Sequence, residues 1–194
     1  MRNLTQNIAT VLTIFFLSIL VQAQSIGKLP AQENSPPPQE STTEQKSTEY
    51  KDPDGKYELQ LPPNWKAVSY QDGVGKQRID IIYRDRSLGL LKISQENFES
   101  TDIDSFIRNE IEQNLRFRPG YVYNNTERFV GSGGRGALLE YDFSLAGKPK
   151  KGRHYYIKGK DGASSWILRF SGNREVLGPL RHDTDSIARS FKPL

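Results

Sequence analysis

Apolar and polar side chains alternate from Tyr57 to Leu61 (YELQL), and Pro62-Pro63 stops the run. A period of two is the signature of a strand with one buried face, which proline cannot continue. A weaker alternation after Trp65, over 66–70, predicts a second strand. Residues 78–83 (RIDIIY) and 88–93 (LGLLKI) predict two more, joined by the polar turn 84–87. The period then changes. Ile103, Phe106, Ile107, Ile111 and Leu115 recur at steps of three and four, which predicts an amphipathic helix. Thr101 and Asp104 stand at capping-box spacing at its start, and Pro119-Gly120 ends it. Burying those five side chains contributes on the order of 10 kcal/mol, against about 1–2 kcal/mol of backbone entropy for each residue ordered. The helix must therefore dock on a sheet.

Residues 121–130 read as a strand and 131–134 as a glycine turn. In the strand that follows, Leu139, Tyr141, Phe143 and Leu145 share one face, with Glu140, Asp142 and Ser144 on the other. Residues 146–152 read as a lysine-rich hairpin loop, 153–158 as a returning strand, Asp161-Gly162 as a tight turn and 164–170 as the close of an antiparallel meander. A last helix is expected from about Pro179 through Leu180, Ile187, Ala188 and Phe191, closed by Pro193. Strands grouped between two helices point to an α+β fold, an antiparallel sheet flanked by helices.

The first residues read differently. Arg2, the uncharged apolar run 11–21 and the small residues around Val21-Gln22-Ala23 have the form of a signal peptide over 1–23. An apolar core of about a dozen residues falls short of the ~20 that span a bilayer, so no transmembrane segment is expected in the mature form. Residues 24–49, rich in Pro, Gln, Glu, Ser and Thr around Pro36-Pro37-Pro38, lack the apolar surface that would offset ordering them and read as a disordered linker. One domain remains, 50–194, on a chain expected to be periplasmic or extracellular after cleavage. The absence of cysteine excludes disulfide staples and a lipoprotein acylation site.

The whole chain carries a formal charge of +4, and residues 50–194 carry +5. Such a surplus suits an acidic partner, and it also serves solubility. Its densest patch is Lys148, Lys150, Lys151 and Arg153. Nucleophilic catalysis wants a Ser or Cys beside a base, yet the two histidines, His154 and His182, fall on different elements, and neither HxxxH nor CxxC occurs. His182 with Asp183 and Asp185 could meet a cation or simply face solvent, so a metal stays undetermined. The glycine run 131–136 is followed by a strand and no Lys-Ser/Thr, unlike a phosphate loop. Tyr121, Tyr123, Tyr155 and Tyr156 interleave with basic residues, but strand alternation accounts for them and export argues against nucleic acid. The expectation is a monomer with no catalytic residue and no cofactor.

Three stretches resemble the PsbP-like, or Mog1/PsbP-fold, proteins: YKDPDGKYELQLPPNW (50–65), GRHYYIKGKDGASSWILRF (152–170) and IARSF (187–191). The resemblance covers nearly all of 50–194 and extends to the order of elements. It implies an α/β/α sandwich used as a binding or assembly module. Photosynthetic members are extrinsic subunits of photosystem II that help retain calcium and chloride; other bacterial members are exported proteins. Arg153 and His154 match a polar position of the family's meander, whereas the extended N-terminal segment of plant members has no counterpart. The expectation is thus an exported, non-enzymatic binding or assembly module that meets a protein or acidic surface through Lys148, Lys150, Lys151, Arg153 and His154. Two alternatives stand beside it: a photosystem II accessory subunit, and a small-ligand carrier or enzyme with Arg153 and His154 anchoring a ligand between sheet and helix.

Overall fold

A computed structural model describes residues 46–75, 77–98 and 102–194. The expected signal peptide, 1–23, and most of the expected linker, 24–49, lie outside these residues. The linker's last positions do not: Thr48 and Glu49 pair with Leu61 and Gln60, so the folded part begins before Tyr50. Thr48–Lys51 (β1) and Tyr57–Leu61 (β2) are antiparallel neighbours in a small sheet.

The period-two runs that follow build a second, larger sheet. Its strands are Trp65–Gln71 (β3), Gln77–Tyr83 (β4), Gly89–Gln95 (β5), Val122–Gly131 (β6), Gly134–Leu145 (β7), Lys148–Gly159 (β8) and Ser165–Asn173 (β9), in the order β3-β4-β5-β9-β8-β7-β6. The neighbouring strands pair antiparallel throughout. Helices Ile103–Gln113 (α1), Arg174–Leu177 (α2) and Arg181–Ser190 (α3) complete the fold, and Lys192–Pro193 (β10) returns to pair with β2.

Both faces of the large sheet are covered, which gives the three layers expected of the sandwich. On one face Leu138, Tyr155, Trp166, Leu168 and Phe170 pack with Leu59 and Leu61 of the small sheet and with Ile187, Ala188 and Phe191 at α3. On the other, Leu139, Tyr141, Phe143, Tyr156 and Ile167 pack under α1 with Phe98, Ile107 and Leu115. Neighbouring residues such as Leu138 and Leu139 divide between the cores because successive strand side chains point to opposite faces.

Five local expectations are corrected. The hairpin after β7 is only Ala146-Gly147, both at positive φ (50° and 74°), so the lysines read as a loop belong to β8. A two-residue turn with this backbone matches the twist of its strands. Helix α1 is capped by Asp102, which accepts from Asp104 N and Ser105 N; Thr101 is outside the described residues. The closing helix starts at Arg181 with Leu180 as its N-cap. Pro193 joins the outer edge of the small sheet, a position that needs no N–H from it. Leu145, at the end of β7, is exposed.

Candidate functional site

Arg153 and His154 are consecutive on β8 and therefore leave the sheet on opposite sides. Each enters its own buried polar cluster. Arg153 is 1% exposed and lies on the α3 side. Its Nη2 donates to Asp185 Oδ1 at 2.8 Å and to Tyr155 Oη at 3.0 Å, and its Nε stands 3.2 Å from Glu140 Oε1. Tyr155 Oη donates to Asp185, while Thr184 Oγ1 donates to Arg181 O at 3.0 Å. Burial pushes the Tyr155 phenol far above its ordinary range. Two carboxylates thus face one guanidinium, and the cluster fastens α3 to β7 and β8.

His154 is 2% exposed and lies on the α1 side. Tyr141 Oη is 2.9 Å from its Nε2 and Tyr156 Oη is 3.4 Å from its Nδ1. Tyr156 donates its own proton to Glu110 Oε2 at 2.7 Å. Its oxygen can then only accept from His154, which places the imidazole proton on Nδ1 and leaves Nε2 to accept from Tyr141. Burial pushes the His154 pKa down against the opposing pull of Glu110, so the ring is neutral. The Tyr141 hydroxyl is pushed up to about 12, chiefly by burial. Burial raises the Glu110 pKa, but the nearby His154 Nδ1–H, the hydrogen bond from Tyr156 and the charge of Arg169, whose Nε is 3.7 Å away, leave it below its ordinary value. Arg169 also reaches Glu96 at 3.4 Å. This chain of donors and acceptors fastens α1 to the sheet and holds its protons in fixed places; its geometry orients and stabilises.

The five residues singled out from the sequence are not brought together. Lys151 pairs with Asp142 at 3.5 Å, and Lys150 Nζ donates to Ser87 O at 3.0 Å. Lys148 is exposed at the start of β8. Arg153 and His154 are separated by the thickness of the sheet. His182, Asp183 and Asp185 do not converge on a shared cation position either: Asp183 accepts from Trp65 Nε1 at 3.2 Å and Asp185 serves Arg153.

Glu110 and Arg169 complete the His154 cluster and were missed in the sequence. A signal for each exists: Glu110 sits on the apolar stripe of α1 beside Ile103, Ile107 and Ile111, and Arg169 alternates in phase with Ile167. A charged residue on a buried face requires a partner.

No protein-family model and no curated protein sequence matches the chain. Solved structures do. The cyanobacterial PsbP of Synechocystis, CyanoP, aligns with a TM-score of 0.53 at 13% identity, over 79% of this chain and 96% of its own. Mog1p, a Ran-binding protein of Saccharomyces cerevisiae, aligns with a TM-score of 0.49 at 8% identity, over 76% and 95%. LpqN of Mycobacterium tuberculosis, involved in cell envelope biogenesis, aligns with a TM-score of 0.48 at 14% identity, over 76% and 90%. The chain has the α+β, Mog1/PsbP-like fold that its sequence resembles. Among the described residues no helix is long and apolar enough to cross a membrane.

Proposed function

We propose that the chain is an exported, non-enzymatic accessory domain that binds an acidic protein partner through its surface. The observation that carries this reading is the closure of both chemistry-bearing clusters: Arg153 and His154 are buried, on opposite faces, and engaged by neighbouring side chains. A ligand cleft anchored by the two together would have to pass through the sheet. What remains available to a partner is surface, and residues 50–194 carry a net charge of +5. The likeness to CyanoP, at 13% identity, supports the fold of a binding domain and leaves the photosystem II role aside. The leader-like first residues support export.

Cross-linked pull-down of the chain from its own cell envelope tests the reading. A protein partner should be recovered, and its recovery should fall as salt rises from about 0.01 to about 0.15 M, which shortens the Debye length from about 30 to about 8 Å. Recovery indifferent to salt, or a chain that keeps Met1 and stays in the cytoplasmic fraction, overturns it.

A further inference from the structure

Helix α1 packs over Leu139, Tyr141, Tyr156 and Ile167 on its face of the large sheet and leaves the row at Val130 uncovered. Across that row Val130 on β6 stands opposite Arg135 on β7, and Arg135 stands opposite Lys158 on β8. The next row begins with Arg128, opposite Ala137. Val130 is 64% exposed. Two clefts of about 440 and 420 Å³ share Val130 and Arg135; the first also takes in Ile103, Asp104 and Arg128, the second Lys158 and Lys160.

The charge arrangement is unusual for this protein. Arg135 and Lys158 are directly opposed cations, which destabilise a strand pair. Along the same strand pair Lys151 faces Asp142 and Arg153 faces Glu140, and in a second opposed pair, Lys92 and Arg169, the arginine is answered by Glu96 and Glu110. Among the described residues none makes an ion pair with Arg128, Arg135, Lys158 or Lys160. Of the two carboxylates lining the clefts, Glu127 is paired with Arg181, which leaves Asp104 against four cations. β6 is also the last strand of the sheet; Val130 O already accepts from Arg189 Nη1 at 2.8 Å, so an extended segment laid across this row would be held by side-chain contacts and not by adding a strand.

We propose that the uncovered row Val130, Arg135 and Lys158, flanked by Arg128 and Lys160, is a docking site for an extended acidic polypeptide segment with aliphatic residues between its carboxylates. The carboxylates neutralise the opposed cations, and the aliphatic side chains cover Val130 and the apolar lip at Ile103. This deepens the proposed function and rests on it.

The probe is a fluorescein-labelled peptide of alternating glutamate and valine, titrated with the purified chain and followed by anisotropy, with phosphatidylglycerol vesicles as a parallel arm. The peptide should bind saturably, and R135E/K158E should weaken it by about tenfold or more while K148E leaves it unchanged. R135E alone places a carboxylate opposite Lys158, so it should raise the thermal midpoint while binding is lost, which separates lost contact from lost folding. Equal binding by R135E/K158E overturns the site and leaves the acidic-partner reading standing. No peptide binding in any form of the chain overturns both. Binding to vesicles without binding to the peptide overturns a polypeptide ligand.

Discussion

Lowering the pH from 7 to 5 should destabilise the fold through His154. His154 is buried and neutral, with Nε2 committed to Tyr141 and Nδ1 to Tyr156, and its folded pKa is lowered mainly by burial. In the unfolded chain the ring titrates near 6.5. Below that pH the unfolded state therefore binds a proton that the folded state refuses, and stability falls as pH falls until the lowered folded pKa is reached. As long as the folded ring stays neutral, the linkage grows at a limiting slope of about 1.4 kcal/mol for each pH unit below the unfolded value. Each such unit is a sizeable share of the roughly 5–15 kcal/mol that holds a typical domain. Glu110, whose folded pKa is lowered, contributes stability above its unfolded value, and that contribution is lost only at lower pH. Urea unfolding at closely spaced pH values measures the slope, and His154→Asn should flatten it between pH 7 and 5 even if the absolute stability drops. An unchanged slope in that variant would refute the neutral, buried imidazole.

Arg153→Ala should cost about 3 kcal/mol in denaturant unfolding, because it strands Asp185 and Glu140 without their cation; a loss under about 1 kcal/mol would mean that water already serves those carboxylates. Gly152→Ala should destabilise by about 1–3 kcal/mol, since a Cβ there would lie 2.3 Å from the Tyr141 ring; differential scanning calorimetry reads the drop, and a wild-type midpoint would contradict the packing. Asp102→Ala removes the cap that accepts from Asp104 N and Ser105 N and should cost about 1 kcal/mol. Its signature would be faster hydrogen exchange confined to the first turn of α1.

The strands were legible because their alternation reports burial directly: runs such as 78–83 and 164–170 fall within β4 and across β9. The small sheet was less so. β10 is two residues long, one of them proline, and its pairing with β2 depends on where α3 delivers the chain, which no local pattern encodes. The candidate site suffered from the opposite problem. Arg153 and His154 are adjacent in sequence and polar, which suggests a shared task, while strand geometry sends them to different cores. The lysines after Leu145 look like a loop because charge and proline cluster there, although a two-residue turn suffices once Ala146 and Gly147 take positive φ. The bare row escaped notice because Arg135 and Lys158 are far apart in sequence and meet only through register.

The small sheet has an engineering consequence. β1 and β10 flank β2 and both reach Glu58, which accepts from Lys192 at 2.9 Å and pairs with Lys51 at 3.8 Å. By strand spacing and rise, Thr48 and Pro193 then lie roughly 16 Å apart. A bridge of about six to eight residues could join them, with new ends cut at the Ala146-Gly147 turn. Such a circular permutant should keep both cores, and the domain could equally be spliced into a surface loop of another protein as a removable cassette.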